Sequence, residues 1–176
     1  MLILIEGLDR TGKTTLAEKL REITGAAVVH RGQPVAQDPL TEYLGPLSCY
    51  EPGSGLSLVL DRGYWDEMIY PKAYGREPFM GWPEFAYIDH AMAGLGAIAV
   101  LAEDGLERIH QRALADGEAV NDRDTIAELS DGYESIIEQT ALPVVRWNLR
   151  SGPERDKIAQ AAGGAEDIAA ALRMGR

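Results

Sequence analysis

The sequence has little cysteine, little histidine and no long apolar run, and each shortage excludes a class of protein. Cys49 is the only cysteine among 176 residues, so neither an internal disulfide nor a metal site built from several cysteines can form. The three histidines are scattered without the spacing of metal ligands. No apolar run approaches the roughly 20 residues that a membrane-spanning helix requires. We therefore expect no membrane span.

Positive charge is also scarce. Lysine and arginine number 17 against 28 aspartate and glutamate residues, which gives a formal net charge of −11. Such a surface repels the phosphates of DNA and RNA, so nucleic acid is an unlikely partner. A small nucleotide stays compatible with this charge, because a local cluster of arginine and lysine can override the overall field. No cleavable signal pattern is present, so we expect a cytoplasmic protein, or one in the host cytoplasm if it is phage-encoded.

A glycine-rich stretch near the start carries the strongest functional signal. Gly7, Gly12, Lys13 and Thr14 fit G-x-x-x-x-G-K-[ST], the phosphate-binding loop of nucleoside-triphosphate enzymes. The apolar run 2–5 precedes this loop and a helical pattern follows it, so an ordinary glycine turn is disfavoured. Lys13 is expected at the β- and γ-phosphates, and the Thr14 hydroxyl on Mg²⁺. The expected ATP-binding residues of the loop are Gly7, Thr11, Gly12, Lys13, Thr14 and Thr15.

The rest of the chain alternates apolar runs with helical patterns and shows no linker or internal repeat. Five strands are predicted, at 2–5, 26–30, 56–60, 97–101 and 143–147. Helices are predicted from the loop to about residue 23 and over 38–44, 82–95, 106–115, 125–140 and 154–172, with short helical pieces and loops over 64–87. This pattern predicts a single α/β domain over residues 1–176, with a five-stranded parallel sheet, helices on both faces and the three-layer P-loop NTPase fold. Ligands of such sheets bind at the carboxyl ends of the strands.

Charged residues collect at those strand ends. Asp61 ends the third predicted strand, where it can hold Mg²⁺ opposite Thr14 or merely cap a helix. Arg62 beside it is either a partner for Asp61 or a donor to a second phosphate, which its planar fork suits. Arg10 lies inside the phosphate loop and can fold over the γ-phosphate, while Asp9 would face a sugar hydroxyl or a positive partner. The alternative for Asp9 and Arg10 is an exposed loop pair.

The run 5–15, together with Asp61 and Arg62, resembles thymidylate kinases and their nucleoside-monophosphate kinase relatives, in particular the enzymes that carry arginine in the phosphate loop. The resemblance implies that Asp9 binds the 3′-hydroxyl of the acceptor and Arg10 the transferred phosphoryl group. It also implies a homodimer. The acceptor phosphate would be held by Arg62 and Arg31, and a mobile lid at about 104–122 would bring Arg108 and Arg112 to ATP.

The sequence departs from that family on the acceptor side. Arg31 is followed by Gly-Gln-Pro where the family has Glu-Pro-Gly, and Gly63 replaces a tyrosine. The segment 65–76 looks more like the shorter thymidylate-kinase-like proteins of bacteriophages. The identity of the acceptor base therefore stays open, whereas these changes leave ATP-dependent transfer unaffected.

Further candidates for the acceptor site lie between residues 64 and 87. Arg76, with Lys72, forms a second basic pair that contacts an acceptor phosphate or makes a surface salt bridge. Four aromatic side chains can stack on a base or pack in the core, and we favour Phe79 and Trp82 for stacking because prolines hold their segment. The four are Trp65, Tyr70, Phe79 and Trp82.

The expected activity is ATP- and Mg²⁺-dependent phosphoryl transfer to a (deoxy)nucleoside monophosphate, with a dTMP-like acceptor favoured. Lys13, Arg10, Asp61 and Arg112 are the expected catalytic residues. An alternative is a kinase of a hydroxyl acceptor, such as a nucleoside or a hydroxymethylated base in DNA, in which Asp61 or Glu6 would serve as the base. A GTP-dependent switch is less favoured, because the guanine-reading pattern Asn-Lys-x-Asp is absent and the segment 121–124 lacks the lysine.

Overall fold

A parallel β-sheet forms the centre of the protein. The computed structural model describes residues 1–115, 122–148 and 152–153. Its strands are β1 (Leu2–Glu6), β2 (Ala27–His30), β3 (Leu58–Asp61), β4 (Ala97–Glu103), β5 (Val144–Asn148) and β6 (Gly152–Pro153). They are arranged in the order β2-β3-β1-β4-β5-β6, with β1 to β5 parallel and the two-residue β6 antiparallel to β5. The predicted five-stranded parallel sheet is confirmed, and β6 is an addition that the sequence pattern did not indicate.

Six α-helices of the described residues connect these strands. They are α1 (Lys13–Thr24), α2 (Pro39–Leu44), α3 (Asp66–Ala73), α4 (Trp82–Gly94), α5 (Leu106–Ala115) and α6 (Arg123–Ile137), with a 3₁₀ turn at Gly45–Leu47. α6 begins two residues earlier than predicted because the Asp122 carboxylate caps it by accepting the Thr125 N–H at 2.7 Å. The helix predicted over 154–172 lies outside the described residues.

Both faces of the sheet are covered. The side chains of β1 alternate between two clusters, as the pleat of a strand requires. Leu2 and Leu4 pack in one cluster with side chains of α3, α4, α5 and α6, while Ile3 and Ile5 pack in the other with Leu16 of α1. All five residues of β1 are buried. This confirms the predicted helices on both faces. Every helix of the described residues is too short or too polar to cross a lipid bilayer.

The register of the strands gathers the predicted site at one edge. Ile5 pairs with Asp61, and Asp61 in turn pairs with His30, so the ends of β1, β2 and β3 lie side by side. Glu6 pairs with Leu101, which brings the end of β4 to the same edge. The loop after β1 therefore lies among the carboxyl ends of three other strands.

Position 7, directly after β1, requires glycine because of its backbone conformation and because of a close neighbouring atom. Its φ is 133°, and a β-carbon there would overlap the carbonyl oxygen of Ala102. Gly7→Ala should therefore lower the free energy of unfolding by about 3 kcal/mol. Gly25→Ala is the matched control, because Gly25 also has a positive φ of 69° but no atom would lie within 4 Å of its added β-carbon. This substitution should lower the free energy of unfolding by only about 1 kcal/mol. Equal losses in urea unfolding would contradict the overlap with Ala102.

Candidate active site

The phosphate loop joins β1 to α1 and is shaped by two residues with positive φ besides Gly7. Gly12 has φ 94° and precedes the first turn of α1, and Arg10 has φ 68°. The Thr11 hydroxyl donates to the Leu8 carbonyl at 2.7 Å, which closes the loop. The first N–H groups of α1 have no partner within the helix, so the loop and the helix end together form an anion-binding cradle.

Lys13 lies inside this cradle. Its side chain is buried, and Nζ donates to the carbonyl oxygens of Gly7 and Leu8, the latter at 2.9 Å. Nζ is also 3.5 Å from Asp9 Oδ1. The loop therefore encloses the cation that the motif assigns to the phosphates.

Thr14 and Asp61 lie together beside the cradle. The Thr14 hydroxyl donates to Asp61 Oδ2 at 3.0 Å, and His30 Nδ1 is 2.8 Å from the same oxygen. Asp61 Oδ1 is buried and has no hydrogen-bond partner in the described part of the chain. A hydroxyl and a carboxylate with an unused oxygen are hard ligands that fit Mg²⁺. Among the described residues, no group of three or more histidine, cysteine or acidic side chains could hold a metal ion.

A cavity of about 410 Å³ adjoins the loop on the side of β3 and α3. This volume falls in the range of small-molecule sites, roughly 300–1,000 Å³. The residues of the cavity wall that concern the site are Asp9, Gln33, Arg62, Asp66, Glu67, Tyr70, Arg76 and Phe79. Five of these eight side chains are acidic or basic, so the cavity suits a polar, charged ligand.

Arg62 lies between the loop and the cavity. Its φ is 71°, and its Nη2 atom is 2.8 Å from Asp9 Oδ1. Burial lowers the pKa of Arg62, but the carboxylates of Asp9 and Asp66 outweigh that effect and the net shift is upward. Backbone strain of this kind is commonly kept at functional sites. Arg62 is therefore a permanent cation held at the junction of the two regions.

Arg31, just after β2, is a buried cation with unused donors. Its side chain is only 7% exposed, Nη1 donates to Glu42 Oε1 at 3.2 Å, and the guanidinium lies 4.9 Å from the centre of the Tyr43 ring. Nε and Nη2 are buried without a hydrogen-bond partner among the described residues. Burial lowers the pKa of Arg31, although Glu42 opposes this shift. An anion that accepts from the unused donors would relieve the cost of their burial. The neighbouring Gln33 lines the cavity.

The four candidate aromatic residues are divided between different places. Tyr70 and Phe79 line the cavity. Trp65 is fully buried in the core. Trp82 instead lines a separate space of about 380 Å³ between α3, α4 and α6, and its ring makes an edge contact with Phe85. The structure thus does not bring Trp82 to the residues with which the sequence grouped it, because α4 begins at Trp82 and turns its side chain towards α6.

The helix α5 carries Arg108 and Arg112, and it brings Arg112 to the loop. Asp104 holds both, with Arg108 Nε at 2.6 Å and Arg112 Nη2 at 2.7 Å, and Arg112 also donates to the backbone carbonyl of Arg10. Burial raises the pKa of Asp104, but the hydrogen bonds from Arg108 and the Gly105 N–H, together with the charges of Arg108 and Arg112, outweigh this effect and the net shift is downward. The predicted lid at about 104–122 lies only partly within the described residues, which stop at 115 and resume at 122.

The sequence analysis named Glu6 only as an alternative base and missed its association with Asp66 and Tyr133 beneath the loop. Glu6 is 0% exposed, and burial, reinforced by the charge of Asp66, raises its pKa well above the usual range. Burial also raises the pKa of Asp66, with Lys13 opposing the shift. The Tyr133 hydroxyl contacts both Asp66 Oδ1 and the Gly7 carbonyl oxygen. The only sequence signal that could have marked Asp66 as a site residue was its position five residues after Asp61. Tyr133 gave no such signal, because in the sequence it forms part of the apolar face of α6.

Glu6 also explains why position 63 is glycine. A β-carbon on Gly63 would overlap Leu4 Cδ1 and lie 2.5 Å from Glu6 Oε1. A tyrosine there, as in thymidylate kinases, would require the buried carboxylate to move. The glycine at position 63 is therefore tied to the packing of Leu4 and Glu6.

Comparisons with known proteins support the fold. The similar solved structures include YorR from Bacillus subtilis, solved in complex with phosphorylated GDP, with 17% identity over 99% of this chain and 94% of that one and a TM-score of 0.70. Polyphosphate kinase 2 from Arthrobacter aurescens TC1 shares 15% identity over 98% and 68%, with a TM-score of 0.60. Deoxyadenosine kinase from M. mycoides, with dCMP and dCDP bound, shares 18% over the whole of both chains, with a TM-score of 0.57. The chain shares the fold of these structures, which confirms the predicted P-loop NTPase fold.

No protein-family model matches the chain, and a comparison with curated proteins found no match. At identities of 15–18%, the similarity to the solved structures concerns the fold alone. The acceptor must therefore be argued from the site of this chain.

Proposed function

We propose that the protein transfers the γ-phosphoryl group of ATP to a (deoxy)nucleoside monophosphate, with a dTMP-like nucleotide as the first candidate. The observation that carries this proposal is the position of Asp9 and Arg62. Asp9 belongs to the phosphate loop and also lines the 410 Å³ cavity, where it pairs with Arg62 at 2.8 Å. A donor in the loop and an acceptor in the cavity would therefore meet at one place, as transfer requires.

On the donor side, the cradle and Lys13 would bind the phosphates of ATP. Lys13 would exchange the carbonyls of Gly7 and Leu8 for phosphate oxygens. Thr14 and Asp61 would hold Mg²⁺, which supplies charge neutralisation on the phosphates when it is bound. Arg10 would lie over the transferred group, and Arg112, which contacts the Arg10 carbonyl, would support it from α5. Arg108 would bind ATP beside Arg112.

On the acceptor side, three arginines would receive the monophosphate. Arg62 and Arg76 line the cavity, and Arg31 adds two buried donors without a partner among the described residues. Guanidinium groups bind phosphate oxygens in pairs, which fixes the orientation of the acceptor. Phe79 would lie against the base. The second pKa of a phosphate monoester is about 6, so the attacking oxygen is already ionised at neutral pH and needs no general base.

A hydroxyl acceptor is the second candidate, and one observation favours it. The carboxyl groups of Asp66 and Glu67 line the same cavity, and burial raises the pKa of both. A carboxylate with a raised pKa is a better general base for a hydroxyl. These two replace Glu6 as base candidates, because Glu6 is fully buried and its Oε1 atom accepts the Trp65 N–H at 3.1 Å.

The decisive experiment is transfer from γ-labelled ATP to a panel of nucleoside monophosphates, nucleosides and hydroxymethylated DNA. We expect labelled diphosphate from a monophosphate and none from the hydroxyl acceptors. Labelled monophosphate from a nucleoside, with no transfer to any monophosphate, would replace the first candidate by the second. The homodimer implied by the resemblance is a further proposal, which light scattering of the purified protein would test.

A further inference from the structure

The Tyr133 hydroxyl lies between two oxygen atoms that belong to different halves of the site. It is 2.9 Å from the carbonyl oxygen of Gly7, in the phosphate loop, and it also contacts Oδ1 of Asp66, in the wall of the cavity. Tyr133 is only 2% exposed, so its hydroxyl group is shielded from bulk solvent. Burial raises the pKa of Tyr133 well above its usual range, so the phenol keeps its proton.

The number of protons at this contact is informative. A phenol has one proton to donate, a carbonyl oxygen only accepts, and an ionised carboxylate only accepts. With Asp66 ionised, Gly7 and Asp66 compete for the single proton of Tyr133. With Asp66 protonated, Asp66 donates to Tyr133 and Tyr133 donates to Gly7, so that every group has a partner. Lys13 also donates to the Gly7 carbonyl, so the first arrangement leaves this carbonyl without a partner only once Lys13 has turned to the phosphates. Because buried polar groups are nearly always paired, the second arrangement is then favoured.

The surroundings of Asp66 point the same way. Burial is the largest influence on its pKa and raises it, and the charge of Asp9 adds to the shift. Lys13, the hydrogen bond from Tyr133, and Arg62 oppose this shift, but the net direction of the pKa is upward. The titratable groups that face Asp66 are Glu6, Asp9, Lys13, Arg62 and Tyr133 from other elements, with Glu67 and Tyr70 on its own helix.

We propose that Tyr133 is a positioning residue for the phosphate loop, and that it holds the Gly7 carbonyl only while Asp66 carries a proton. Holding this carbonyl fixes the orientation of the whole Gly7–Leu8 peptide, because the peptide is planar. Lys13 also donates to this carbonyl, and would leave it for the phosphates of ATP. Tyr133 would then keep the loop in shape, and ionisation of Asp66 would withdraw that support. This inference rests on the proposed binding of ATP by the loop.

The first experiment needs no nucleotide. Protein labelled with ¹³C at the aspartate carboxyl groups is followed by infrared spectroscopy from about pH 5 to pH 9, the range reached by buried carboxyl groups. We expect the carbonyl band of a protonated acid at the low end of this range, its loss as the pH rises, and its absence at every pH in Asp66→Asn. A wild-type spectrum without this band, or a band that persists in Asp66→Asn, would overturn the proposal.

The second experiment measures ATP affinity by calorimetry without acceptor over the same pH range. Asp66→Asn is informative because its amide donates to Tyr133 at every pH, as protonated Asp66 does. The affinity of the wild type is divided by that of Asp66→Asn at each pH, because this ratio removes the effect of the titration of ATP itself. The ratio should fall about three- to tenfold as Asp66 ionises, which is the loss expected for one hydrogen bond. Tyr133→Phe should have the lower affinity at every pH and no such fall.

Tyr64→Phe is the matched control. Tyr64 is also buried and donates to a carboxylate, Asp89 Oδ1 at 2.6 Å, but this pair lies in the core, away from the loop. We expect Tyr64→Phe to leave the affinity for ATP and its pH dependence unchanged. The proposal would be overturned if the ratio of wild-type affinity to Asp66→Asn affinity did not change with pH. It would also be overturned if Tyr64→Phe lowered the affinity for ATP as much as Tyr133→Phe does. If ATP binds as expected but no acceptor is phosphorylated, the proposed function fails while this inference stands.

Discussion

Lys13→Ala should lower the rate of phosphoryl transfer about 10³-fold, the scale of loss when a charge that stabilises a transferring phosphoryl group is removed. The buried ammonium group of Lys13 lies in the cradle between the carbonyls of Gly7 and Leu8. No other lysine lies in this cradle, in the part of the chain that the structure describes. The rate is measured by release of labelled diphosphate at saturating acceptor.

The matched control for this substitution is Lys19→Ala, which removes an exposed lysine from the same helix. It should leave the rate within about twofold, since an exposed charge at that distance is screened by salt. Thermal unfolding of both variants shows whether the fold is kept. A folded Lys13→Ala protein with near-normal turnover would refute the assignment of the phosphate loop.

Arg10→Ala should lower kcat about 10²- to 10³-fold while the Kd for ATP changes by no more than a few-fold. The reason is that Arg10, inside the loop, is expected to act on the transferred group, so its effect is greatest in the transition state. Single-turnover measurements together with calorimetry separate the two quantities. A loss confined to ATP affinity would make Arg10 a binding residue.

Arg10→Gly is the control for the backbone. The φ of 68° at Arg10 costs a residue with a β-carbon about 1–2 kcal/mol, and glycine is free of that cost. Both variants lose the guanidinium, so both should lose the same factor in kcat, whereas Arg10→Gly should be the more stable protein. If Arg10→Gly restored turnover, the loss in Arg10→Ala would have come from the shape of the loop.

The sequence was sufficient for the sheet, for most helices and for the position of the phosphate loop beside Asp61. Buried parallel strands are continuous apolar runs, and the loop motif has a fixed spacing, so both are local signals. Thr14 and Asp61, 47 residues apart, could be placed together because one follows β1 and the other ends β3, and parallel strands bring their carboxyl ends to one edge.

The acceptor half could not be derived in the same way, because it depends on contacts between distant side chains. Tyr133 and Asp66 are 67 residues apart, and the pattern of α6 says only that Tyr133 faces inward. Phe79 and Trp82 looked equivalent in the sequence, but α4 begins at Trp82 and separates them. The attachment of Arg108 and Arg112 to Asp104 likewise depends on how α5 leaves β4.

The sheet order has a consequence for local opening. β1 has a strand on either side and five buried residues, so its amide hydrogens belong to the last part of the sheet to exchange with solvent. β2 is an edge strand with no fully buried residue, and it leads directly into Arg31. The loop that leads to Lys13 therefore follows a central, protected strand, whereas Arg31 follows an edge strand that we expect to open before the centre of the sheet.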